Sequence, residues 1–209
     1  MRPILPLAAL LTTLLFPAAA KAESPASPST DAINLQPIAP EGSIADLPAE
    51  VQSLLADMKT AAEKSAAVFE PLSTEQLDFR PEDGTHTPRW NAEHLAGAQM
   101  MFFSKMYHSI DDRIPVIDQM PKQMPEDYTA RNPTYDGKQE AARIRDADAY
   151  ARRYAYLLKN VDMDAPVQDG VLPPFFKSNQ SLITILTGHY GEHTANVVKK
   201  FDAPGYPAD

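Results

Sequence analysis

A chain of 209 residues, 44% of them hydrophobic, can bury one real core and is short for two. Its formal net charge of −9, from 28 Asp+Glu against 19 Lys+Arg, does not favour nucleic acid as a partner. Cysteine is absent, which excludes disulfides, thiolate ligands and attachment of lipid to an N-terminal cysteine.

The chain opens with a basic Arg2, the apolar run "ILPLAALLTTLLF" and small residues in "AKA" ending at Ala22. This is the pattern of an export signal over residues 1–22, and the run is too short for a membrane span. The expected product is a periplasmic or secreted protein that starts at Glu23 and keeps no membrane anchor. Cleavage would remove Arg2 and Lys21 and no acid, leaving 17 basic against 28 acidic residues, a net charge of −11. Residues 23–47, including "SPASPST", read as a Pro/Ser/Ala-rich linker, 48–203 as the folded domain and 204–209 as a C-terminal tail.

Proline, at 20 positions about twice its ordinary usage, is missing from residues 49–70, 89–114, 134–165 and 175–203. Proline inside a helix removes a hydrogen bond and clashes with the preceding turn, so four long proline-free windows predict four helices. In the first, Val51, Leu54, Leu55, Met58, Ala62, Ala66 and Phe69 fall on one face. In the third, Ile144, Ala147, Ala151, Tyr154, Leu157 and Leu158 do the same. Thr87 and Pro88 suit the cap and first turn of the second helix, and Pro48 suits the start of the first. No segment alternates with a period of two, so the fold class is all-α, a four-helix bundle with a long connection, about 111–137, between the second and third helices. That connection is too long for a plain turn and either crosses the bundle or lids one end. The segment "VQDGVLPPFF" could similarly pack over an opening.

The fourth window carries an apolar stripe Leu182, Ile185, Leu186, His189, His193, Val197, Phe201. Four helical residues advance by about 400°, so His189 and His193 sit one turn apart on one face, close enough to share an ion. A third histidine, His94, shares a face of the second helix with Trp90, Ala98 and Met101. One histidine on an apolar face is more often a satisfied core residue than a ligand. Three inward imidazoles are costly to bury unpartnered, whereas a divalent cation satisfies all three at once. His86 precedes the helix, and His108 lies about 21 Å of axial rise beyond His94, so neither joins the same ion readily. Residues 189–193 also spell H-x-x-E-H, a metalloprotease pattern with a downstream acidic ligand. Only Asp202 and Asp209 follow His193, in or near the tail, so Glu192 is expected to face solvent or to support a ligand from behind.

Taken together, "PLSTEQLDFRPEDGTHTPRW", His94 just inside the second helix and "HYGEH" late in the fourth resemble the DinB-like family of metal-binding four-helix bundles, also called damage-inducible or YfiT-like proteins. The resemblance covers about residues 48–203. It implies a metal triad of His94, His189 and His193, one from the second helix and two from the fourth. Family members commonly place the first histidine seven or eight residues after the tryptophan. Here Gly97 and Ala98 hold those positions and His94 follows Trp90 by four, so either the site has slid by one turn or the first ligand comes from elsewhere.

Three imidazoles leave at least one coordination position for water or substrate, as in catalytic metal sites. Three functions follow as alternatives. One is an exported metal-dependent hydrolase or transferase acting on a small molecule. Another is a non-catalytic metal or small-ligand binding protein of the cell envelope. The last is a helical interaction domain whose histidines are metal-free core residues. The expected cofactor is a divalent metal, Zn2+ first, with Ni2+ or Fe2+ able to use the same donors. The family includes enzymes that use low-molecular-weight thiols as co-substrates. A homodimer is compatible with the sequence.

Overall fold

The computed structural model describes residues 44–121, 126–166 and 172–208. The export signal read over residues 1–22 and the linker up to residue 43 lie outside the described residues. Four long helices, α1 (Ala49–Phe69), α3 (Pro88–Ile110), α4 (Gly137–Arg153) and α5 (Asn179–Val198), account for the four proline-free windows. A four-residue helix, α2 (Thr74–Leu77), stands between the first two, and no strand occurs among the described residues.

Local chemistry sets the helix starts. Thr87 Oγ1 accepts from Trp90 N at 3.1 Å and Pro88 fills the first position of α3, where a missing N–H costs nothing. Reciprocal capping boxes open α2 (Ser73 with Gln76), α4 (Asp136 with Gln139) and α5 (Ser178 with Ser181). Pro48 is itself the residue before α1 and makes no side-chain cap.

The main packing partners run in the cycle α1–α4–α3–α5 and back to α1, which puts α1 diagonally across from α3. Val51, Leu55, Met58, Ala62, Ala66 and Phe69 of α1 are fully or almost fully buried, as are Ile144, Ala147 and Ala151 of α4. Each large aliphatic or aromatic side chain so buried contributes about 1.5–3 kcal/mol. Residues 44–47 belong to this packed body: Ile44–Asp46 form a 3-10 turn against a second one at Ala155–Asn160, and Leu47 is buried. The C-terminal residues pack too, with Tyr206 edge-on to Phe79 at 5.2 Å and Pro207 O accepting from Gln76 Nε2.

In its described parts the long connection crosses from one end of the bundle to the other, so that Glu140 in the first turn of α4 meets Arg89 in the first turn of α3. These parts run back along α3. Ile114 and Ile117 are buried, Ile117 N donates to Ser104 Oγ at 2.9 Å, and the Gln119–Met120 backbone lies so close to Gly97 that a Cβ there would sit 2.8 Å from Gln119 O. Farther on, the buried Glu93 carboxylate accepts from Tyr128 Oη and Arg131 N, both at 2.9 Å, and pairs with Arg143 at 2.9 Å. Arg89, fully buried, joins Asp78 before the helix, Tyr135 O in the connection and Glu140 of α4. Of "VQDGVLPPFF", residues 167–171 lie outside the described residues, while Phe176 is buried against Phe102 with ring centroids 4.7 Å apart.

The stripe of α5 is rotated from its predicted position. Its buried residues are Leu182, Ile183, Leu186, Tyr190 and Val197, whereas Ile185 and Phe201 are more than a third exposed. Tyr190 wins the inward position because its ring fills the bundle centre and its hydroxyl donates to Gln99 Oε1, a partner that Ile185 could not use. His189 and His193 therefore lie at the flank of the buried stripe and are half-buried.

Candidate metal centre

Three imidazoles meet between the N-terminal half of α3 and the C-terminal half of α5. One ring nitrogen from each of His94, His189 and His193 lies within 4.8 Å of the other two. His94 Nε2 and His189 Nε2 are 3.1 Å apart. Two nitrogens each bound about 2.0–2.1 Å from one zinc ion stand roughly 2.9–3.4 Å apart as the angle between them opens from square to tetrahedral, so this spacing fits shared coordination. Without an ion it is a hydrogen bond between neutral rings.

The polar atoms around the rings test the fit further. His94 is 7% exposed, its Nδ1 is buried without a hydrogen-bond partner, and among the described residues its ring bonds only to that of His189. Burying a ring on a single hydrogen bond is expensive, and a cation on its Nε2 would offset part of that cost, although it would not reach Nδ1. His193 Nδ1 meets Asn91 Oδ1 at 2.8 Å, which leaves Nε2 for a ligand role. Burial holds all three rings well below the usual imidazole value, His189 to about 4, His193 to about 3 and His94 to about 2. For His94 and His193 the neighbouring imidazoles add to that depression. The rings are neutral at pH 7, the state that metal coordination needs.

The slide after Trp90 has a steric counterpart. Position 97 is closed by the Gln119–Met120 backbone, so no side chain fits there, and His94, one turn earlier, is the residue that reaches the α5 pair. Trp90 stacks on His94 at 4.4 Å and 10° and on His86 at 3.5 Å and 5°, which holds the His94 ring from its other face. His86 thus lies across the indole from the cluster, and His108 binds Ile114 O far along α3. Glu192 is exposed, as is Asp202, so the metalloprotease pattern gains no acidic partner here, and Asp209 lies outside the described residues.

Sequence reasoning did not single out Asn91 or Glu93. The signal for Asn91 was present in its place next to Trp90, on the turn that leads to His94. That for Glu93 was hidden, because its partners stand 35 to 50 positions away and share no local pattern with it.

A family model described as the DinB superfamily matches residues 57–197, more than half of the chain. No curated protein and no solved structure gives a significant match.

Proposed function

The chain belongs to the DinB superfamily, and from that premise we propose that it is a metal-dependent hydrolase or transferase whose single divalent cation is held by His94, His189 and His193. The observation that carries this reading is the convergence on one point of three neutral imidazoles from two helices, at positions 94, 189 and 193 of the sequence. Zinc is the expected ion, and nickel or iron could use the same donors. Bound there, the ion would supply Lewis acidity toward a substrate oxygen or hold a small thiol as its thiolate. The chain's own residues do the rest: burial keeps the rings unprotonated, Trp90 holds the plane of His94, and the half-exposed His189 and His193 leave a side through which a small molecule can approach.

Export is part of the same proposal, supported by Arg2, the apolar run and the small residues up to Ala22. An intact mass beginning at Glu23, measured on protein from the producing cells, is its check. A non-catalytic envelope metal binder is the second reading. It is favoured by the composition of the cluster, since no carboxylate is grouped with the three imidazoles among the described residues. Turnover of an ester, amide or thiol-transfer substrate by metal-loaded protein separates the two.

The decisive measurement is metal content of protein purified without an affinity tag. Wild type should carry one equivalent, and His94→Ala or the pair His189→Ala, His193→Ala should each reduce it to a small fraction. His86→Ala and His108→Ala should leave it intact. Stoichiometric metal in the double variant would overturn the assignment.

A further inference from the structure

His193 could carry its proton on either ring nitrogen, and only one choice leaves a lone pair free to bind an ion from the Nε2 side. The choice is made by Asn91, which is 2% exposed. Its Nδ2 lies 2.8 Å from Thr87 O and 3.5 Å from His86 O, two backbone carbonyls that can only accept. The amide nitrogen must therefore face them, and the amide oxygen must face His193 Nδ1, 2.8 Å away. An oxygen of that kind can only accept, so Nδ1 carries the hydrogen and Nε2 is bare.

The geometry points to Asn91 as the positioning residue of the centre, one that reads the orientation of the α3 N-terminal turn and writes it onto His193 as a fixed tautomer. The chain of bonds is continuous. Thr87 Oγ1 caps Trp90 N, and its carbonyl accepts both from Asn91 N at 3.2 Å and from Asn91 Nδ2. Asn91 Oδ1 then takes the His193 proton. The first turn of α3, held by its own cap, sets which nitrogen of a residue 102 positions away is free. The inference rests on the metal reading for its purpose but not for its content, because the tautomer exists in the metal-free protein.

The test uses the full mature chain. Nitrogen–proton NMR of metal-free wild type at pH 7 should show His193 protonated on Nδ1 alone. Asn91→Leu, close in volume but without the amide, should give a mixture of tautomers and a 10–100-fold loss of zinc affinity in a competition titration, the usual cost of removing a residue that orients a metal-binding histidine. Asn91→Asp keeps an acceptor for His193 and should retain the Nδ1–H tautomer, at a cost in stability because its second oxygen takes the amide nitrogen's place against the Thr87 and His86 carbonyls. Protonation of His193 on Nε2 in wild type, or an Asn91→Leu protein with wild-type tautomer and affinity, overturns the inference. If Asn91→Leu does not fold, the wild-type and Asn91→Asp spectra still decide it. A wild type that shows the Nδ1–H tautomer yet takes up no zinc would sink the metal reading and leave the role of Asn91 standing.

Discussion

The two helices that meet at the histidine cluster are built differently. From Pro88 to Gln99 every residue of α3 is buried, whichever way it points, because α2, α4, α5 and the long connection pack around that half of the helix. Helix α5 buries five of its twenty residues and leaves Thr184, Ile185, Gly188, Gly191, Glu192 and Ala195 in solvent. One imidazole is thus set in a wall closed on every side, and two stand on a helix with an open flank. The difference teaches where order and access come from: α3 fixes the position of the site, and α5 gives a ligand its way in.

The largest blow to that contrast should come from Arg89, whose guanidinium is fully buried between Asp78 and Glu140. Arg89→Met leaves the buried Glu140 carboxylate with Arg143 alone, at 3.4 Å, and strips Asp78 and the Tyr135 carbonyl of their donor, which should cost about 3–5 kcal/mol, read as a fall in the urea midpoint. A change within experimental error would mean that the wall does not depend on this network.

Glycines compare the helices directly. A Cβ at Gly97 would press on the Gln119 backbone, whereas at Gly188 and Gly191 it would meet nothing within 4 Å. Gly97→Ala should therefore destabilise by about 1–3 kcal/mol in spite of alanine's better helix propensity. Gly188→Ala and Gly191→Ala should each stabilise by about 0.5–1 kcal/mol. Equal effects at the three sites would erase the distinction between wall and flank.

Protons give the smallest signal near neutral pH and sharpen the contrast below it. In the unfolded chain each imidazole takes up its proton near 6.5, but in the metal-free fold His189 does so only at about 4 and His94 at about 2. The unfolded state therefore binds protons first as the pH falls, so the stability carried by these neutral rings is complete above pH 6.5 and drains away toward those lower values. His94→Leu should flatten the slope of unfolding free energy against pH over a wider range than His189→Leu. Asp148, raised by burial to about 6, tilts the curve the other way, but it is common to both proteins and cancels in the comparison.

Much of this was legible in the chain. The proline-free windows bound the four long helices, Thr87 and Pro88 mark the start of α3, and the H-x3-H pair with His94 names the residues that the fold brings together. The rotation of α5 was hidden because Ile183, Ile185, Leu186 and Tyr190 offer apolar atoms on several faces, and only the bond from the Tyr190 hydroxyl to Gln99 Oε1 decides between them. Asn91 and the Arg89–Glu93–Glu140–Arg143 network were hidden for a related reason. Their meaning lies in partners far off in sequence, and a local pattern carries no record of those.

Trp90 is the single tryptophan of the chain, and its indole lies between the rings of His86 and His94. The molecule consequently holds one selectively excitable fluorophore, seated against the buried histidine of the cluster and within 5.8 Å of His193. Its emission answers to the charge and tilt of those rings, and excitation on the long-wavelength side selects it from the tyrosines packed around Tyr107 at the far end of α3. Events at the centre are therefore written in light, without a label, from a known address.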